Sequence, residues 1–284
     1  MEVLLSKPGA EVFVPDGTAV AAALGRTTHL GIGAHADDLE LMAAHGIFEC
    51  YASGERWFAG VIATDGAGSP RAPGQAQANA SDVRTTRRGE QKRAAELGRY
   101  GALVMLDHSS AEAKDASNGA LVRDLEALLR ATTPTVVYTH NLADAHDTHV
   151  AVALAVIAAC RKLADAEKPT RVVGCEVWRG LDWLSPAAKV ALPVDGQHDL
   201  ETALIRVFES QLGAGKRFDA GAVGRRRANA AFNDIREADR HEGIVWAMDL
   251  TPAARGDVEP DELVTRHLRE FEDDVRRRLA RFAR

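Results

Sequence analysis

The sequence predicts an α/β protein built on a doubly wound, mostly parallel sheet with helices on both faces. Two observations carry that expectation. Short apolar runs alternate with amphipathic stretches over the first two-thirds of the chain, and turn residues such as Asp65–Gly66, Gly98 and Pro134 close them. The strand candidates read as near-continuous apolar runs, as strands covered on both faces do.

In order along the chain, residues 29–34 form the first apolar run, and residues 39–53 follow with helical periodicity. Residues 58–64 are a second strand candidate, ended by Asp65–Gly66. Residues 66–80 are rich in glycine, proline and alanine and read as a long loop, the kind that serves as a lid or mobile segment. A helix is expected over 82–97 with Gly98 as its stop, then a strand over 102–106 and a helix over 121–131. Residues 135–139, β-branched and preceded by Pro134, predict a strand, 146–163 a helix and 171–177 a further strand. Helices are also expected over 200–212 and over 261–282, the latter charged and introduced by Pro260.

With 284 residues and no internal repeat, the chain reads as a single domain over 1–284. Its core is expected over about 28–250, with an N-terminal extension over 1–27 and a C-terminal helix over about 261–284. Cys50, Cys160 and Cys175 are odd in number and lack a CxxC pair, so they read as buried thiols in a reducing compartment. A net charge of −6 argues against a nucleic-acid partner, and Arg225–Arg226–Arg227 is too short a basic cluster to change that. No apolar run reaches the length of a membrane span, and no signal peptide is evident, so a cytoplasmic protein is expected.

Two motifs carry chemistry. Ala34–His35–Ala36–Asp37–Asp38 lies where the first strand hands over to its helix, and in open parallel sheets ligands sit at the carboxyl ends of strands. His35 and Asp38 can face one ion from such a turn, leaving Asp37 for acid/base work. The second motif, from His140 and Asn141 through Asp144 to His146, Asp147, Thr148 and His149, follows the strand over 135–139. His146 and His149 are an i, i+3 pair on one helix face. A His/His/Asp set with open positions is a catalytic zinc arrangement, and spacing alone leaves open which of His146 and His149 binds.

Plainer readings exist: strand-end histidines also cap or fill cores, and Asp37 and Asp38 could simply favour a helix N-terminus. Gly31–Ile32–Gly33–Ala34–His35–Ala36 also fits the GxGxxA form of the dinucleotide fingerprint. A pyrophosphate there would face Asp37, Asp38 and Glu40, and the second motif would be left without a role. Both motifs falling at strand ends favours a metal site.

These residues resemble the PIG-L/LmbE-like family of zinc-dependent N-acetylglucosaminyl deacetylases. Its A-H-P-D-D motif stands here as Ala34–His35–Ala36–Asp37–Asp38, and its H-P-D-H motif as His146–Asp147–Thr148–His149. Thr64–Asp65–Gly66, the helix carrying Arg87, Glu90, Ala94, Ala95, Leu97 and Gly98, and Ser210–Gln211 extend the likeness over about 29–213. The resemblance implies a Rossmann-like, LmbE-like sheet. It also implies His35, Asp38 and His149 as metal ligands, Asp37 as general base and His146 facing the substrate carbonyl oxygen. Zn2+ is the implied cofactor, with Fe2+ as the alternative ion. The implied activity is hydrolysis of the amide of an N-acylated amino sugar or conjugate, acetyl foremost.

Asp65, Arg87, Arg88, His140 and Asn141 are the candidate substrate contacts, and His108 a further residue at a strand end. Ala36 replaces the usual proline, and Thr148 replaces the aspartate that supports the catalytic histidine in relatives. Asp144 or Asp147, each within two residues of His146, is expected to take that part. A non-haem Fe(II) enzyme on the same donors and a non-catalytic sugar-binding relative are the competing functions. Self-association into a homo-oligomer is left open.

Overall fold

Five apolar strands lie side by side and parallel in the middle of one eight-stranded sheet, and every other element is placed by covering or extending them. The structure, a computed structural model, describes residues 3–51, 53–68, 79–212, 215 and 217–283. Most of the expected loop over 66–80 falls outside the described residues.

The chain begins with β1 (Glu11–Phe13) and α1 (Val20–Gly25), then enters the sheet as β2 (His29–Gly33), buried at every residue. The helix expected over 39–53 is two helices, α2 (Asp38–Met42) and α3 (Ala44–Tyr51). The break has a cause: the Arg226 guanidinium donates to the carbonyls of Glu40 and Leu41 at 2.7 and 2.9 Å, taking acceptors a continuous helix would use. Next come β3 (Phe58–Thr64) and α4 (Ala80–Leu97), whose start is a capping box between Asn79 and Asp82. Then follow β4 (Ala102–His108), α5 (Ser110–Lys114), α6 (Ala120–Thr132), β5 (Val136–His140) and α7 (Asp147–Arg161). Leu121, Leu125, Leu128 and Leu129 give α6 its buried face.

β6 (Arg171–Cys175) completes the parallel set, and β7 (Lys189–Pro193) lies on the far edge. The helix expected over 200–212 is α8 (His198–Arg206) and α9 (Glu209–Leu212), followed by α10 (Phe218–Ala231). β8 (Ile244–Asp249), α11 (Thr251–Arg255) and α12 (Pro260–Phe282) end the fold.

The strand order is β1-β4-β3-β2-β5-β6-β8-β7. β4, β3, β2, β5 and β6 run parallel, while β1, β8 and β7 add antiparallel edges. The N-terminal extension therefore adds β1 to the sheet, and β7, β8 and α10 fill a region whose sequence shows no regular pattern. Two apolar clusters cover the two faces. One gathers Leu125, Leu128, Val152, Val156 and Ala253 over Ile32, Val61 and Val137; the other gathers Leu39, Ile47, Ala94 and Leu204 over Phe58, Leu103 and Tyr138. Burial on this scale is the main stabilising contribution. No helix among the described residues is long and apolar enough to cross a membrane.

Candidate metal centre

Successive connections leave the sheet in opposite directions at β2 and β5: β2 pairs with β3 on one side and β5 on the other. This is the crevice at which open α/β sheets bind ligands. Both motifs open onto it, because one follows β2 and the other follows β5.

Remote side chains hold the turn after β2 rigidly. His140 Nε2 accepts the Ala34 N–H at 3.0 Å, and the Thr64 hydroxyl donates to the Ala34 carbonyl at 2.8 Å. Asp38 accepts the His35 N–H at 2.7 Å, and Gln211 donates to the Ala36 carbonyl at 2.7 Å. Asp37 stands at φ 87°, a left-handed conformation costing on the order of 1–3 kcal/mol. Its N–H is received by Gln91 Oε1 at 3.2 Å, and Gln91 in turn donates to Glu40 at 2.8 Å. The Tyr100 hydroxyl donates to the same Glu40 oxygen at 2.7 Å. The large majority of buried polar groups in folded proteins are hydrogen-bonded in this way.

Three side chains of the two motifs converge. His35 Nδ1 lies 3.2 Å from His149 Nε2 and 3.4 Å from Asp38 Oδ2, and His149 Nε2 lies 3.4 Å from Asp38 Oδ1. His146 adds its ring 4.6 Å from that of His149 and 4.9 Å from that of His35. Potential donor sets among the described residues are His35, His146 and His149, and Asp38, His140 and His149, with His149 common to both. Nδ1 of His146 and of His149 is buried without a hydrogen-bond partner. Nitrogens and carboxylate oxygens crowded at this distance with little hydrogen bonding suit a divalent ion of the zinc or iron kind.

Charge separates the neighbouring carboxylates. Burial raises Asp37 well above the usual carboxylate range, and the charge of Asp38 beside it pushes the same way. Burial would also raise Asp38, but the imidazoles of His149 and His140 hold it well below that range. Burial lowers His146 and His149, so both favour the neutral form that ligates metals.

The site forms the floor of a cavity of about 580 Å³. His35, Asp37, Asp38, Arg87, His146 and His149 line it. Trp178 and Phe218 stand in its wall at 5.9 Å, edge to face, and Trp178 is stacked 6.5 Å from His146. The other expected contacts lie elsewhere. His140 and Asn141 are fully buried behind the site, His140 with its Nε2 3.3 Å from Asp38 and Asn141 donating to the Cys175 carbonyl at 3.0 Å. Asp65 pairs with Arg84 at 2.6 Å, and Arg88 donates to the Gly9 carbonyl. Together Asp65, Arg87 and Arg88 border a second cavity of about 20 Å³. His108 is paired with Asp124 at 2.8 Å under the sheet.

Asp144, one of the two carboxylates expected to support His146, faces the imidazole of His149 instead, and Nδ1 of His146 is left without a partner. Asp144 Oδ1 accepts the backbone N–H of His146 at 2.9 Å and lies 3.6 Å from His149 Nδ1, whereas Asp147 is exposed. Its Oδ2 accepts the Trp178 N–H at 3.1 Å. In the arginine run, Arg226 is buried against Glu201 at 2.7 Å, Arg227 pairs with Glu201 at 2.8 Å and Arg225 donates to the Val177 carbonyl, and Arg225 and Arg226 also line the cavity. Sequence reasoning overlooked Gln91, Trp178 and Phe218. A tryptophan just past a strand end was the one available signal.

Residues 30–160 match the family model described as PIG-L: GlcNAc-PI de-N-acetylase. Among solved structures, N,N'-diacetylchitobiose deacetylase from Pyrococcus horikoshii is similar, at 17% identity over 78% of this chain and 83% of that one, with a TM-score of 0.59. The conserved protein TT1542 from Thermus thermophilus is 19% identical over 80% and 95% of the two chains, with a TM-score of 0.60. The 4-carboxy-2-hydroxymuconate hydratase GalB from Pseudomonas putida KT2440 is 16% identical over 80% and 97%, with a TM-score of 0.59. At such identities the likeness to solved structures shows the fold. No curated protein matches in sequence.

Proposed function

We propose, from the premise that this chain belongs to the PIG-L/LmbE-like deacetylase family, that it hydrolyses the amide of an N-acylated amino sugar or conjugate, acetyl foremost. One observation carries the reading: His35, Asp38 and His149 meet within 3.2–3.4 Å on the floor of a cavity that Asp37 and His146 also line.

In this reading His35, Asp38 and His149 hold a Zn2+ ion. The ion supplies Lewis acidity, polarising a carbonyl and lowering the pKa of a water it binds. Asp37, fixed by its neighbours beside Asp38, accepts the proton of the attacking water. His146 faces the carbonyl oxygen and stabilises the charge that grows there, an effect of about 3 kcal/mol in comparable sites. The proton for the departing amine comes from Asp37 or His146. Arg87, buried with guanidinium nitrogens unpartnered and bordering the cavity, binds a substrate hydroxyl or anionic group. Trp178 offers a flat apolar face to a sugar ring.

The test joins metal analysis to a panel of N-acylated amino sugars and their conjugates. Zinc in the purified protein and release of acetate with a free amine are expected. Asp37→Asn should retain the zinc and lose turnover by about 10²–10⁴-fold. Iron with oxygen-dependent turnover, tight nicotinamide-nucleotide binding, or water addition without acyl release would each overturn the proposal.

A further inference from the structure

The end of the chain carries a surface the centre does not use. α12 is 23 residues long, and its buried residue, Leu263, lies in the first turn. Beyond it, Leu268, Phe271, Val275, Leu279 and Phe282 are 49, 44, 38, 66 and 72% exposed. At about 100° per residue these five fall within an arc of about 80°, forming one apolar stripe roughly 21 Å long. An isolated helix of this length is marginal in water, and its stability normally comes from packing an apolar face.

The stripe has a symmetry. About Val275, Phe271 mirrors Leu279, and Leu268 mirrors Phe282. The flanking charges mirror with a change of sign: Glu272 and Asp274 precede Val275, Arg276 and Arg278 follow it. Glu272 and Arg276 lie on one edge of the stripe and are paired at 2.6 Å; Asp274 and Arg278 lie on the other, paired at 2.7 Å.

We propose that α12 pairs with α12 of a second copy of this chain, antiparallel, about a two-fold axis at Val275. The axis sets Phe271 of one copy against Leu279 of the other, and Leu268 against Phe282. It brings Glu272 of one copy to Arg276 of the other along one edge, and Asp274 to Arg278 along the other. A parallel pair would instead face opposite edges, setting Glu272 beside Asp274 and Arg276 beside Arg278 of the other copy, like charges together, which is unfavourable. Self-complementarity of one patch is what a two-fold interface requires.

The experiment uses the full chain. Sedimentation should show a dimer at tens of micromolar, and Val275→Glu should yield a monomer with unchanged circular dichroism. Cysteine cross-linking then fixes the register, since the native cysteines Cys50, Cys160 and Cys175 are buried. Under mild oxidant, Val275→Cys should cross-link to itself. Leu268→Cys and Phe282→Cys should cross-link only when mixed with each other. A monomeric wild type, a dimer indifferent to Val275→Glu, self-linking of Leu268→Cys, or a monomer that binds anionic vesicles would overturn the proposal.

Discussion

The side-chain oxygen of Gln91 receives the backbone N–H of Asp37 at 3.2 Å, at a residue held in the left-handed region with φ 87°. Gln91 does not itself line the main cavity, but bonds to Asp37, which does. It acts as a positioning residue, linking the strained turn to Glu40 and, through Glu40, to the Tyr100 hydroxyl. Gln91→Leu removes the acceptor and leaves a buried N–H unsatisfied, at a cost of about 1–3 kcal/mol. We expect kcat to fall about 10–100-fold, with KM and bound metal nearly unchanged. Steady-state kinetics with metal analysis on the same preparation checks this. Equal loss of metal and activity would mean that Gln91 serves the fold alone.

Gly33 makes room for a proposed ligand. A Cβ there would meet Asp38 Cβ at 2.9 Å, so Gly33→Ala must push the carboxylate away from His35 and His149. Metal affinity should drop about 10–100-fold, the range seen when support around a ligand is disturbed. Gly54→Ala, with no atom within 4 Å of the new methyl, should leave affinity alone. Competition with a coloured chelator measures both. Gly31 is kept for a different reason, since its Cβ would meet Phe58 at 2.6 Å. The glycine spacing that mimics a nucleotide fingerprint is thus a packing pattern, around Phe58 and Asp38.

His29 should make the fold sensitive to acid. Burial, with the nearby charges of His45 and Arg56, pushes its pKa down to about 4 from the usual 6.5. The unfolded chain therefore takes up this proton first as pH falls. Stability present above about pH 6.5 is lost progressively as pH drops toward about 4, and this loss then levels off. His29→Gln removes the titration. Urea midpoints at several pH values should fall more steeply across that window for the wild type; parallel curves would exclude His29 as the source.

Local pattern reveals some of this molecule and hides the rest. β2, β3 and β5 were legible because central parallel strands are apolar throughout, and the two motifs because they sit at the ends of β2 and β5. β8 was missed although residues 244–248 form an apolar, buried run like a central strand. β7 was not legible, since this antiparallel edge is only partly buried and its partner is far off in sequence: Pro193 lies beside Ile244. The same limit explains His140. Its position after a strand predicted a substrate contact, but only the tertiary fold shows it beneath Asp38, bonded to Ala34. The break between α2 and α3 was invisible for a similar reason, as Arg226 causes it from 185 residues away.

His35 and His149 are 114 residues apart, and they meet because β2 and β5 pair in register, His29 beside Val136. Closing a loop of that size is among the slower and more entropically demanding steps in forming such a sheet. A chain with only β2, β3 and β4 assembled would own His35 and Asp38 but no third donor. An ion held by the proposed ligands would therefore select only the chain whose two halves have already joined. Metal uptake should accordingly trail sheet formation during refolding and act as a latch on it, adding about 2.7 kcal/mol at an ion concentration one hundred times Kd.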